Sequence, residues 1–515
     1  MSIAGNKTPA ALTGVPLAVI SLALAVATFM QVLDTSIANV AVPTIAGNLG
    51  VSADQGTWVI TSFAVSNGIS LPLTGWIMQR FGVVKTFVWS VLLFTAASLL
   101  CGVSWNLGSL IVFRVLQGAV SGPMIPGSQA LLMAIFPPEK RGTALTIWSM
   151  TTLVAPICGP ILGGYISDNY SWPWIFFINV PVGLIASLIC WRGLASRETA
   201  TQILPIDRVG FALLAIWVGA LQVTLDKGKD ADWFSSTPII VLAAIAAIGF
   251  VAWLIWELTE QYPIVDLSLF KSRDFTAGTM AFCLGYAVFF GNVVLLPLWL
   301  QTEENYTATW AGLVAAPSGV VAVLVSPLGA RLLGRIDGRW GATISLAAFA
   351  ISYFMRAELT PDASFSDYVM PMLVMGIGMS LFFVAMLTIS LNGVPPERVP
   401  AASGLINFAR ITAGSFAASM TTTFWDRREA LHQSRLAEGT NVYDPTTTQA
   451  LAGFHSIGIG QLEGAGALTQ ELVRQAYVLA SVDYFWLSGW LSVVLIPVIW
   501  FARKAMSNGA HVAAD

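Results

Sequence analysis

Charge is what this sequence has least of. Only 10% of its 515 residues are Asp, Glu, Lys or Arg, against about 25% in a soluble domain. With 56% hydrophobic residues, that excludes a water-soluble globular protein and leaves an integral membrane protein. The net charge is −3 and no basic block occurs, which argues against nucleic acid as a partner. Cysteine is scarce too. Cys101, Cys158, Cys190 and Cys283 all fall in apolar stretches, where they read as small packing residues and not as disulfides or metal ligands. Enzyme signatures are missing. No GxxxxGK[ST] loop, HExxH or GxSxG is present, so direct ATP drive and hydrolase chemistry are not expected, and neither is a cofactor or a metal.

What is present is a series of apolar runs of membrane-spanning length. They lie near 17–42, 57–78, 86–104, 107–134, 143–166, 174–191, 209–225, 236–256, 275–298, 309–330, 341–356, 368–391, 403–424 and 482–502. Fourteen helices put both termini on one side. Loops on that side hold most of the basic residues, among them Arg80, Lys85, Lys140, Arg141, Arg335, Arg339 and Arg398, so the positive-inside bias makes both termini cytoplasmic. The first run is too long for a cleaved signal peptide and reads as the first span. PPEKR leaves the fourth run at 137 and PPER leaves the twelfth at 395, an offset of 258 residues. That echo suggests two six-helix halves with runs seven and eight inserted between them. The resulting plan is all-α and polytopic. It has a tail at 1–16, a first half at 17–191, an inserted pair with its loops at 192–274, a second half at 275–504 and a tail at 505–515. Within the second half, a polar stretch at 426–480 reads as one long loop on the outer side. Its histidines, His432 and His455, have no metal-ligand spacing and read as surface residues.

The chemistry concentrates in the first run, Leu17 to Pro43. Its first seventeen positions carry no charge; then Asp34 and Asn39 appear before Pro43 stops it. A carboxylate at membrane depth costs several kcal/mol unless protonated, paired or wetted, so it is a functional-site candidate. Arg114, in LIVFRVLQGAVSGP, sits at matching depth, roughly 10–14 Å in from the outer end at 1.5 Å per residue. An acid poised by an arginine and by desolvation can load and release a proton. A purely structural pair is the competing reading. Gln117 follows Arg114 by one turn, and Gly118 with Gly122 forms a GxxxG face for close helix approach. Pro156, Gly159, Pro160, Gly163 and Gly164 crowd the fifth run, which should kink and pack tightly there. Arg410 lies nearer the inner end of its run, where snorkelling and lining an inner vestibule are equally open. Gln31, Asn39, Gln117, Gln129, Asn292, Asn407 and Arg410 are the candidates to line a substrate cavity.

At these residues the sequence resembles a known family. LDTSIANVAVPTIAGNLG (33–50), FRVLQG (113–118) and GPILGG (159–164) resemble the signatures of fourteen-helix drug:proton antiporters. QGTWVITSF (55–63), APICGPILGGYISDNYSWPWIFFINVPVG (155–183) and PIVDLSLFKSR (263–273) resemble the EmrB branch of the major facilitator superfamily. The resemblance implies the major facilitator fold and proton-driven export of amphiphilic toxic compounds across the inner membrane. It implies as partners an EmrA-like periplasmic adaptor and a TolC-like outer-membrane channel. Asp34 would take the proton-linked role, Arg114 the coupling role, and Gly159, Pro160, Gly163 and Gly164 the antiporter motif. The gate loop Gly75 to Lys85, with Arg80 and Gly82, departs at Gln79, where the superfamily favours aspartate; a charge-based latch there would be weaker, or would rely on hydrogen bonds. An uptake symporter for a small nutrient, or a sensor working through the 426–480 stretch, are the alternatives.

Overall fold

The computed structural model describes residues 12–137, 140–203, 205–304, 306–333, 335–360, 363–440, 444–456 and 460–505. Among them are helices and no strands, as expected where hydrocarbon leaves backbone groups no partner outside the segment. The first half comprises α1 (Gly14–Leu49), α2 (Ala53–Gly56), α3 (Trp58–Ser70), α4 (Thr74–Phe81), α5 (Val83–Gly102), α6 (Leu107–Ser121), α7 (Met124–Ile135), α8 (Arg141–Asn169), α9 (Trp174–Phe177) and α10 (Asn179–Leu194). The pair α11 (Arg208–Lys227) and α12 (Thr237–Thr259) follows. The second half holds α13 (Arg273–Thr302), α14 (Ala308–Leu333), α15 (Gly338–Ala357), α16 (Phe365–Ser390), α17 (Val399–Gly439), α18 (Pro445–Ser456) and α19 (Gln461–Ile499). All fourteen apolar runs fall on helix, and among the described residues ten helical segments are long and apolar enough to cross a membrane.

In two places the helices outrun the hydropathy. α1 continues through Pro43 to Leu49 and ends where Gly50 takes φ +68°. There Gly50 N–H reaches Gly47 O and Val51 N–H reaches Ala46 O, a glycine C-cap. A proline removes one helical donor, and beyond it Ile45 and Ala46 are still buried. The 426–480 stretch is likewise mostly helix and not a loop: α17 runs unbroken for 41 residues, α18 follows, and α19 has already begun at Gln461. Arg, Glu, Ala, Leu and Gln dominate 427–437; they are good helix formers whatever their polarity. Residues 457–459 of its glycine-rich centre, and Pro138 and Glu139 of the PPEKR motif, lie outside the described residues. His432 is no bare surface residue, because its Nε2 lies 2.7 Å from Asp483 Oδ2.

The offset of 258 recurs well beyond the two loop motifs. α6 begins at the cap Asn106, whose N–H is bonded by Ser109 Oγ at 3.2 Å. α16 begins at Ser364, whose N–H is bonded by Asp367 Oδ2 at 2.7 Å. Both members of each cap are 258 residues apart in the chain. So are Gly118 and Gly376. A side chain on Gly118 would run into Ser66 and the Phe63 carbonyl of α3, and one on Gly376 into the Ser318 carbonyl and Val321 of α14. The same close crossing is therefore built twice, in one register.

Between the halves, α8 packs on α14 and α16, while α4 and α7 pack on α17. The inserted α11 lies along both α3 and α17. Trp217 meets Phe408 and Val218 faces Gly68, so this helix covers one seam between the halves.

Candidate functional site

The site is built where α1, α3, α5, α6 and α10 converge. Asp34 on α1 and Arg114 on α6 are 1% and 0% exposed. Arg114 Nη1 donates to Asp34 Oδ2 at 2.6 Å. The matched depth read from the sequence is thus a direct ion pair in the structure. Gln117 Nε2 donates to Asp34 Oδ1 at 3.2 Å, and Asn179 Nδ2 from α10 donates to the same oxygen at 2.8 Å. Three donors thus occupy the two oxygens of one carboxylate.

Arg114 is anchored independently. Its Nε donates to the Val59 carbonyl on α3 at 3.0 Å and its Nη1 to Gln117 Oε1 at 2.8 Å. Its guanidinium lies 4.3 Å from the centre of the Phe63 ring and 5.6 Å from that of Phe176. Asn179 is set in turn by Ser98 Oγ at 3.0 Å, and Ser98 donates to the Phe176 carbonyl. Asn179, Ser98 and the Val59 carbonyl are absent from the sequence reading. Neutral polar groups near the ends of apolar runs carry no signal of their own, and a carbonyl carries none at all. Arg114 is therefore held by contacts other than the carboxylate as well as by it.

The proline–glycine stretch of the fifth run lies against the same helix. Gly159 and Gly163 on α8 stand where any side chain would meet Ser36 or Ile37 of α1, which explains why glycine is needed at both. Gly164 faces open space. Pro160 has no N–H for the Pro156 carbonyl four residues earlier. Ser36 Oγ from α1 donates to that carbonyl at 3.0 Å. α8 remains one helix through the stretch.

Of the cavity candidates, Gln117 belongs to the ion-pair network, and Asn39 is exposed on α1. Asn292 is bonded inside the second half, to Ser488 Oγ and the Val288 carbonyl. Gln31 is buried with its Oε1 unpartnered. Gln129, Asn407 and Arg410 come together at the seam: Asn407 Nδ2 donates to Gln129 Oε1 at 3.3 Å, and Arg410 Nη2 to Asn407 Oδ1 at 3.1 Å. Arg410 is 4% exposed, so it does not snorkel.

In the gate loop, Gly75 lies against the backbone of Ala401 on α17, a close approach between the halves. The Gln79 carbonyl accepts from Gln202 N–H, and Arg80 stacks on Trp76 and Phe81. Gly82, at φ +92°, has no room for a side chain beside the Glu198 carboxylate. Glu198 accepts from the N–H groups of Val84 (2.9 Å) and Lys85 (2.8 Å), and Thr199 Oγ1 from that of Val83 (3.1 Å). These are the first free donors of α5, where an anion is favoured. An acid from beyond α10 is therefore bonded to the loop that lacks an aspartate at 79.

Two duplicated helical halves meeting at a seam, with an ion pair sealed inside one, define a membrane carrier. The sequence profile of the Major Facilitator Superfamily matches residues 24–418, and the chain belongs to that superfamily. The multidrug export protein EmrB of Escherichia coli (strain K12) is 49% identical over 97% of this chain and 98% of its own length. The fatty acid resistance protein FarB of Neisseria gonorrhoeae is 46% identical over 97% of this chain and 98% of its own. The proton:xylose symporter XylE, solved with 6-bromo-6-deoxy-D-glucose, superposes with a TM-score of 0.60 over 96% of this chain and 98% of that one. At 13% identity, that likeness is one of fold alone. Its relatives place the chain among EmrB-type transporters.

Proposed function

We propose that this chain is a proton-coupled exporter of hydrophobic and amphiphilic toxic compounds, an antiporter and not an enzyme. It sits in the inner membrane with both termini cytoplasmic. The observation that carries the reading is the sealed Asp34–Arg114 pair, the one buried acid–base pair at membrane depth among the described residues. When Asp34 takes a proton it loses its charge, and the carboxyl becomes a donor as well as an acceptor. Arg114 then faces a neutral partner but stays held by Val59 and Phe63. The change falls two residues before Ser36, whose bond joins α1 to α8, and α8 packs on the other half. Protonation in the first half is thereby linked to the seam that must open and close.

The test uses proteoliposomes with an imposed pH gradient. Adding an amphiphile should dissipate the gradient with the wild type and not with Asp34→Asn. Equal dissipation by both would move the proton site elsewhere.

A periplasmic adaptor and an outer-membrane channel complete the proposed assembly. The support is the likeness to EmrB and the length by which α17 and α19 exceed the apolar runs. Replacing 440–460 by a short linker should abolish resistance in cells and leave flux in proteoliposomes intact. Loss of both would assign the segment to folding or gating.

A further inference from the structure

The seam carries a charge that the ion pair does not account for. Arg410 on α17 is 4% exposed, and among the described residues no carboxylate lies within ion-pair reach of it. Its one hydrogen bond is to Asn407 Oδ1, and its Nε is buried with no partner. Aromatic rings surround it: Tyr286 at 4.5 Å, Phe383 at 5.7 Å and Phe282 at 5.9 Å from the guanidinium carbon. Gly414, one turn further on, leaves room for Tyr286. Across the seam, Gln129 Nε2 on α7 is a second buried donor with no partner. One charged and one neutral donor, contributed by opposite halves and tied together through Asn407, are thus both unsatisfied.

The internal repeat sharpens the point. Asn407 and Arg410 stand 258 residues after Ser149 and Thr152. Those two close their hydrogen bonds within α8, on Thr146 and on Trp148 and Ser149. The first-half wall is therefore neutral where the second-half wall is cationic. Asp34, the acid that could attract a cation, is already enclosed by Arg114, Gln117 and Asn179.

We propose that the α7–α17 seam is an anion site, in which Arg410 and Gln129 receive the negative head group of an amphiphile while Tyr286 and Phe383 take its apolar part. This rests on the transport reading and names its substrate class: carboxylates, sulfonates and phenolates with a hydrophobic body. A planar guanidinium offers two parallel donors to such oxygens. An anion accepts from the open Nε2 of Gln129 while Oε1 keeps its bond from Asn407, so the occupant engages both halves without displacing the bond that joins them.

The test is equilibrium binding to the full chain in lipid nanodiscs, with uptake by empty discs subtracted. Dodecyl sulfonate and dodecyltrimethylammonium share a tail and differ in sign. The wild type should bind the sulfonate at least tenfold more tightly. Arg410→Gln should lose that preference, weakening the sulfonate at least tenfold and the ammonium less than twofold, while Arg410→Lys retains part of it. Should Arg410→Gln fail to fold, Gln129→Ala on the other half is expected to weaken the sulfonate alone, by about threefold or more. Equal affinity for the two probes in the wild type, or unchanged sulfonate binding in Arg410→Gln, would overturn the proposal. Because no pH gradient is used, the outcome is separate from the flux assay. A wild type that binds the sulfonate selectively but moves nothing would overturn the transport reading and leave the anion site.

Discussion

Ser36 Oγ supplies to Pro156 the hydrogen bond that Pro160 cannot. The hydroxyl of α1 lies 3.0 Å from that carbonyl, and it stands two residues beyond the buried Asp34. A serine thus ties the segment that carries Asp34 to the proline–glycine stretch of α8.

Ser36→Ala should leave a carbonyl unsatisfied at a cost of about 1–3 kcal/mol. In a Pro160→Ala background the restored N–H can reach the same carbonyl, so the serine should matter less. Thermal melts of the four proteins in detergent form the double-mutant cycle. A cost independent of residue 160 would refute the assignment.

Arg114→Met should destabilise by about 3–5 kcal/mol, the usual cost of leaving one buried charge without its partner. Adding Asp34→Asn removes that charge and should recover most of the loss. Neither variant should couple flux to a pH gradient. Melting temperatures and proteoliposome flux on the same preparations separate stability from coupling.

Gly118→Val and Gly376→Val should each abolish folded protein in the membrane, because both positions touch a neighbouring helix backbone. Gly439→Val, in open space, should change stability by less than about 0.5 kcal/mol. Size-exclusion profiles of the detergent extracts report the difference.

Glu429, on the part of α17 beyond the apolar run, is pushed above the usual 4.5 by burial, then by Asp426 and Glu303. The folded state thus holds this proton more tightly than the unfolded chain does. Stability should fall as pH rises from about 4.5 through the raised value, and level off above it. Glu429→Gln should melt higher than wild type at pH 7.5 and together with it at pH 4. A gap at pH 4 as large as at pH 7.5 would show that the charge is not the cause.

Much of this was legible in the chain. Asp34 and Arg114 stand out because charge inside an apolar run has few innocent explanations, and their shared depth followed from counting. Asn179 and Ser98 did not stand out, since neutral polar residues abound near span ends. Glu198 was invisible for another reason: its partners lie more than a hundred residues away in the chain, and capping between segments leaves no local pattern. The extensions of α17 and α19 beyond the apolar runs have no hydropathy signal, because hydropathy reports solvent and not helicity, and charged residues that are good helix formers look like a loop. The repeat was read from two loop motifs alone. Only packing shows that caps, close crossings and helix starts keep the same register.

α17 has a mechanical consequence. An unbroken helix of 41 residues is about 60 Å long, twice the hydrocarbon thickness. Arg410 rides near one end, and His432, joined to Asp483, near the other. A stiff rod of that length works as a lever: a small tilt at the seam becomes a larger sweep at the tip. Whatever rests on that tip is told mechanically, without any chemical signal, whether the seam below is open or closed.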